Sequence, residues 1–384
     1  MSPDTCYSIK MKNASCFLFA VLVVCAKLVN TSCPYTCSCS NSTSGFSVNC
    51  NFKSFEHIPV LPNDTYYLNF AYNSIQDIDV QFCKEMPLLQ NINIHNNLIQ
   101  EIPDETFTDC HQLITLNLHN NRITDIPRDT FSNLSQLQTL YLYNNKIQSI
   151  ESYTFVNMTN LNRLSLYSNE ISTIKQSAFM NLPSLQYLYL YNNKIRSIES
   201  NTFVNMTNLY ELYLHNNELT SIVEYTFVNL PSLYYLDLSG NNISLIEEHA
   251  LGNLTQLSTL NLASNPINCD CSIFPFWSWI IERASIGISA KCSDGKFVIS
   301  LRSAELEKCN PDNCRCFNGG KCITSGDGKV VCDCIGEWTG EFCQESQCMT
   351  YDCGFGNCFV EPMNGTAQCV CGNKQPTYCP GKRI

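Results

Sequence analysis

Beyond residue 26 the sequence lacks any run of about 18 apolar residues, so nothing there is long enough to cross a bilayer as a helix. Its last residues, Lys382, Arg383 and Ile384, form no hydrophobic tail, and a lipid anchor is not expected. Charge is sparse: 15% of the 384 residues are charged against 44% apolar, which excludes a fully disordered chain. Positive charge is sparser still, with 23 Lys and Arg against 34 Asp and Glu and a net charge of −11. Without a general excess of cations to neutralise a phosphate backbone, nucleic acid is not an expected partner. Catalytic signatures are missing as well, since no serine sits in a nucleophile turn and no glycine-rich loop precedes a Lys-Ser or Lys-Thr pair. An enzyme is not expected, and no motif calls for a cofactor.

Cysteine is plentiful. Twenty-five cysteines fit an oxidising compartment and not a reducing cytosol. Residues 1–26 read as a cleaved secretory signal: Lys10 and Lys12 precede an apolar run from Phe17 to Ala26 that is short for a span, with small side chains at Val24 and Ala26. Losing Cys6, Cys16 and Cys25 with it leaves 22, an even number suited to full pairing. The expected product is soluble, secreted and extracellular. Cys-x-Cys pairs at 37/39, 269/271, 314/316, 332/334 and 369/371 are spaced more tightly than zinc ligands usually are, and no metal is expected.

No cysteine falls between Cys110 and Cys269, so that stretch must be held by packing. There, Asn73, Asn97, Asn121, Asn145, Asn169, Asn193, Asn217, Asn241 and Asn265 recur every 24 residues without a slip. An apolar frame such as Leu137, Leu140 and Leu142 precedes each asparagine, and one side of a short strand is expected to face inward. A second ladder, Phe107, Phe131, Phe155, Phe179, Phe203 and Phe227, is predicted to fill the interior, with Cys83 in its register. Cys110 holds the place of the leucine that follows, so Cys83 and Cys110 are expected side by side, as a disulfide or as two core thiols. Residues 137–161 and 185–209 differ at only three positions, which points to duplication of a 48-residue, two-coil unit.

The frame Leu-x-x-Leu-x-Leu-x-x-Asn-x-Ile resembles that of extracellular leucine-rich repeat proteins. The resemblance implies an α/β-type solenoid, a right-handed horseshoe with a parallel concave sheet, because a coil of 24 residues cannot bury its apolar face alone. Residues 32–64 resemble the family's amino-terminal cap, which implies bridges Cys33–Cys39 and Cys37–Cys50. The repeats occupy 65–264. Residues 265–309, with Phe276, Trp279 and Ile280 on a short helix, resemble the carboxy-terminal cap, implying Cys269–Cys292 and Cys271–Cys309. Residues 310–344 resemble an EGF-like module, implying Cys314–Cys322, Cys316–Cys332 and Cys334–Cys343; only one residue separates its first two cysteines, fewer than the family norm. Residues 345–380 resemble a degenerate second module, implying Cys348–Cys358, Cys353–Cys369 and Cys371–Cys379. Neither module is preceded by the paired acidic residues of calcium-binding versions, and calcium is not expected.

What remains is the surface. Side chains between the buried leucines should form columns on the concave side, and tyrosine is massed over the middle repeats. The predicted partner-binding residues are Tyr141, Tyr143, Arg163, Tyr167, Tyr187, Tyr189, Tyr191, Glu211, Tyr213, His215, Tyr235 and Asp237. Tyrosine offers broad contact area with a polar tip and few rotors to freeze, which suits a protein ligand. His95 and His119 share a repeat position on neighbouring strands, close enough to share an ion, although exposed polar contacts are the simpler reading. Glycosylation sequons start at Asn41, Asn63, Asn133, Asn157, Asn205, Asn242, Asn253 and Asn364; four share a phase two residues after the phenylalanine ladder, away from the concave strands.

In order, signal, cap, repeats, cap and growth-factor-like modules are similar to the Slit proteins, secreted guidance ligands that bind receptors through a concave repeat face. Slit proteins carry several repeat blocks, whereas this chain has one block and two modules. The expected function is a secreted protein-binding module that engages a cell-surface receptor in signalling or adhesion. Single capped blocks also resemble variable lymphocyte receptors, so an immune or scavenging recognition protein and an extracellular matrix component are the alternatives.

Overall fold

Each 24-residue coil contributes one short strand, and coil after coil the strands pair in parallel. The structure is a computed structural model that describes residues 32–301 except 79, 80, 133, 284, 285, 287 and 288. Farther on it describes 306, 309, 316, 320–325, 330–334 and 343, and the backbone of 351, 352, 357–360, 367–370, 382 and 383. The expected signal, Asn133, Asn364 and the cysteine side chains of residues 345–380 lie outside the described residues.

One sheet of 11 strands runs through the molecule. An antiparallel hairpin, β1 (Ser38–Ser42) and β2 (Gly45–Asn49), opens it. Then come β3 (Thr65–Asn69), β4 (Asn91–Asn93), β5 (Thr115–Asn117), β6 (Thr139–Tyr141), β7 (Arg163–Ser165), β8 (Tyr187–Tyr189), β9 (Glu211–Tyr213), β10 (Tyr235–Asp237) and β11 (Thr259–Asn261). From β2 onward all pairing is parallel, and from β3 onward each residue sits opposite its equivalent 24 positions away, as Tyr187 does to Glu211. The coils form the curved solenoid of a leucine-rich repeat horseshoe.

The strands are three residues long because the chain turns away at a fixed point. The residue before each repeating asparagine, among them Asn96, Asn120, Asn144 and Ser168, has φ between 53° and 62°. Asparagine tolerates that left-handed region better than most residues, which accounts for the Asn-Asn pairs. At Gly240 the φ is 62° and a Cβ would stand 2.4 Å from Asn216 Oδ1, so a larger residue there would have to turn the Asn216 amide aside.

The second asparagine of each pair is buried and ties coils together. Asn169 Nδ2 donates to Leu166 O in its own coil (3.0 Å) and to Leu142 O in the preceding one (3.1 Å), while its Oδ1 accepts from Ile147 N (3.1 Å). The same three bonds recur at Asn97, Asn121, Asn145, Asn193, Asn217, Asn241 and Asn265. Beneath them the leucines and isoleucines form one continuous core.

Rings from Phe107 to Phe227 stack with centroids 5.7–6.2 Å apart. In the first coil Phe82, and not the residue in register, continues that stack, 5.9 Å from Phe107. A one-turn helix, Phe82–Glu85, shifts the ring by one position and leaves Cys83 to bond Cys110.

The sheet edge at the amino end is covered by the β1–β2 hairpin, fastened by Cys33–Cys39 and Cys37–Cys50. At the other end the helix Phe274–Ile281 buries Phe276, Trp277 and Ile280, Trp279 Nε1 donates to Gly252 O (3.0 Å), and Cys269–Cys292 and Cys271–Cys309 close the structure. Beyond it, Lys321–Thr324 and Val330–Asp333 pair antiparallel, with disulfides Cys316–Cys332 and Cys334–Cys343. Cys322 is also disulfide-bonded, and Cys314 lies outside the described residues.

Replacing Asn169 with Ala strands the buried Ile147 N–H and takes one of two donors from the Leu142 and Leu166 carbonyls, which Asn145 and Asn193 still meet. At about 1–3 kcal/mol for one unsatisfied buried group, urea unfolding should show a loss of that size. A change within about 0.5 kcal/mol, the range of an ordinary surface substitution, would show that the amide does not hold the coils in register.

Candidate functional site

In a three-residue strand the middle side chain enters the core and the outer two face the concave side. Leu188 is buried between half-buried Tyr187 and Tyr189, and a buried middle residue recurs in every coil, with Ser165 and Asp237 buried as well. One column therefore reads Thr139, Arg163, Tyr187, Glu211, Tyr235, and the next Tyr141, Ser165, Tyr189, Tyr213, Asp237. Just past the strands, Tyr143, Tyr167, Tyr191 and His215 make a third. All twelve residues singled out from the sequence lie on this face; Asp237 is buried and the others are half-buried.

The third column is a stack of rings. Tyr143, Tyr167, Tyr191 and His215 lie nearly parallel at centroid distances of 4.4–4.5 Å. The stack extends through His119 and His95 at 4.2 Å each, and its end is met edge-on by Tyr72, which itself stacks on Phe52. Each flat face is thus covered by the next ring, and edges and hydroxyls are what the stack presents. Periodicity alone does not place Tyr72 in this series: Ala71 holds the register position and is buried, and Tyr72 reaches the stack from the left-handed turn.

Ring stacking also orders the histidine pair. His95 and His119 lie face to face with planes 12° apart, and among the described residues no three potential metal-binding side chains converge. Burial, joined by the charge of His95, pulls the His119 imidazole down to about 4, and burial lowers His95 too. His119 Nδ1 contacts Asn117 Oδ1, whereas His95 Nδ1 accepts from Asn96 Nδ2 (2.6 Å).

Tyrosines in the first two columns touch at looser angles. Tyr213 lies 5.2 Å from Tyr189 and 5.0 Å from Tyr235. Burial raises the phenols of Tyr189 and Tyr235 and pushes Tyr213 up to about 12, so at neutral pH all three carry protons to donate. Tyr235 donates to Asp237 Oδ2 (3.3 Å), whose other oxygen accepts from Ser239 N (2.9 Å) and Ser239 Oγ (2.6 Å). Arg163 Nη1 donates to the Tyr189 hydroxyl (3.1 Å), and the guanidinium lies 4.5 Å above the Tyr187 ring. A depression of about 570 Å³ opens here, lined by Tyr141, Arg163, Ser165 and Tyr189 and backed by the ring stack.

The sequon asparagines Asn41, Asn63, Asn157, Asn205, Asn242 and Asn253 are exposed, and none occupies a concave column. Asn157 and Asn205 sit on left-handed turns beside the phenylalanine ladder.

A parallel-sheet solenoid with capped ends and an open aromatic concavity is the architecture of a repeat protein. Six overlapping segments, 65–123, 87–147, 112–171, 135–195, 159–219 and 207–267, match the leucine rich repeat family, and the chain belongs to it. It is 34% identical over 82 residues to Leucine-rich repeat-containing protein 3 of Danio rerio, 21% of this chain and 31% of that protein. It is 37% identical over 65 residues to Protein HEG of Danio rerio, 16% of this chain and 6% of that protein. The matched stretches span less than a third of either relative. Among solved structures, an internalin of Listeria monocytogenes aligns with a TM-score of 0.44 at 25% identity, over 56% of this chain and 58% of that one. A chain from an octameric complex of Latrophilin 3, Unc5D and FLRT2 aligns with a TM-score of 0.46 at 23% identity, over 71% and 99%.

A histidine that stays neutral in the fold below its ordinary titration range makes stability depend on pH. Above about pH 6.5 neither state of His119 is charged; below it the unfolded chain takes up a proton that the fold refuses, down to about pH 4. Stability should fall across that window, and His119→Phe, which keeps a ring in the stack, should flatten the fall. Thermal melts at pH 7 and pH 4.5 decide it, and equal slopes for both proteins would contradict the assignment.

Proposed function

We propose that this chain is a secreted extracellular protein-binding module whose concave tyrosine face engages a protein partner, a receptor at the cell surface, in signalling or adhesion of the Slit kind. The observation that carries the reading is the massing of Tyr187, Tyr189, Tyr213 and Tyr235 on a rigid sheet with their rings half-exposed. A rigid aromatic surface loses little entropy on binding, and rings with polar tips suit a mixed protein surface. Exposed asparagine sequons outside the concave columns would leave that face clear of sugar. The disulfides at both ends of the solenoid support an oxidising, extracellular setting. Domain limits are proposed at 32–64 for the first cap, 65–264 for the repeats, 265–309 for the second cap, and 310–344 and 345–380 for two EGF-like modules.

The ring stack guides the choice of variants. Tyr167 and Tyr191 support their neighbours, so the test belongs on the looser columns. Replacing Tyr187, Tyr189 and Tyr213 together with Ala should remove binding of the purified chain to cells, measured by flow cytometry, while leaving its melting temperature within a few degrees. Undiminished binding by the folded triple variant would refute the reading. Retention in insoluble matrix or binding to microbes, independent of these tyrosines, would favour the structural or immune alternative.

A further inference from the structure

The middle column is missing one ring. Tyr141 and Tyr189 occupy equivalent places in the two duplicated units, two coils apart, and the coil between them carries Ser165. Two strand spacings separate them by roughly 9.6 Å. The adjacent column spans the same interval with three rings, Tyr143, Tyr167 and Tyr191, at 4.4 and 4.5 Å. A flat ring with a gap of roughly 3.5–4 Å on each side fits between two others at that separation. Ser165 lines the 570 Å³ depression and is itself covered, at 2% exposure, and the Arg163 guanidinium lies 5.6 Å from the Tyr189 ring, so a ring seated above Ser165 requires Arg163 to swing aside.

The opening has a charge beside it. Arg163 shares the strand with Ser165 and donates to Tyr189, and among the described residues no carboxylate lies within ion-pair distance of its guanidinium. A guanidinium has five N–H donors, and one is committed here. In a chain with a net charge of −11, a half-buried cation that makes no ion pair among the described residues is set to meet an anion from outside, although Glu211 lies on the same face.

We propose that the gap between Tyr141 and Tyr189 receives one aromatic side chain of a protein partner, completing the column above Ser165, and that a carboxylate adjoining that side chain pairs with Arg163. The proposal rests on the concave face being the binding surface and names the feature that this face recognises.

4-Hydroxyphenylacetate carries the same two groups and serves as the probe, with saturation-transfer NMR on the full chain as the readout. The wild-type chain should bind it. Ser165→Tyr and Ser165→Leu, two independent ways to fill the gap, should abolish the signal, with circular dichroism confirming that the sheet is kept. Arg163→Met should weaken binding about tenfold, the scale of losing one charge-assisted hydrogen bond. Cyclohexylacetate, which has the charge without a flat ring, should bind about fivefold more weakly, through loss of stacking worth about 1 kcal/mol. No binding to the wild-type chain up to the solubility limit, or binding unchanged in a folded Ser165→Tyr protein, overturns the proposal.

The cell-binding assay separates this failure from failure of the broader reading. If Ser165→Tyr binds cells like wild type while the triple tyrosine variant does not, the gap is unused and the concave face stands. If neither variant changes cell binding, the face itself is wrong.

Discussion

The fold depends on a buried amide. Each repeating asparagine donates to a carbonyl of its own coil and to one of the coil before, and accepts an N–H from that earlier coil as well. An amide has two donors and an acceptor in fixed geometry, and all are used in a setting where an unpaired group would be heavily penalised. Neighbouring coils therefore have one stable offset, 24 residues. That offset turns a periodic sequence into columns on the surface.

Columns give the concave face its chemistry. Strand spacing of roughly 4.8 Å is close to the separation at which aromatic rings stack, so an aromatic residue repeated at the same position in successive coils must pack on its neighbour. From His95 to His215 this produces a continuous stack held in place by the backbone beneath it. The stack lowers His119 and raises the phenols through the same cause, removal of water from the ring. It divides the tyrosines into those that support the surface and those that offer it. Where one column skips a ring, at Ser165, the spacing that creates the stack leaves a gap of the same dimension.

Much of this was legible in the residues. The asparagine period, the Leu-x-x-Leu-x-Leu frame and the phenylalanine ladder state the coil length and the core directly, since each follows from one side chain per coil at one place. The concave columns follow from alternation along a strand. What the sequence concealed lies off that regular grid. Cys83 holds the register of the phenylalanine ladder, yet Phe82 fills it, because a one-turn helix local to the first coil displaces the ring. Tyr72 joins the stack from a position one residue away from its column. Ser165 reads in sequence as one interruption among tyrosines; its place beside the depression emerges only when Tyr141, Tyr189 and Arg163 are placed around it.

The central claim is that the concave aromatic face, and not the convex or lateral surface, meets the partner. Hydroxyl-radical footprinting of the chain free and bound to cells tests it without altering a residue. Tyr189, Tyr213 and Tyr235 should be protected on binding, while Tyr153 and Tyr225, exposed on left-handed turns outside the strands, should react as before. Protection of Tyr153 and Tyr225 with the concave tyrosines unchanged would contradict the account.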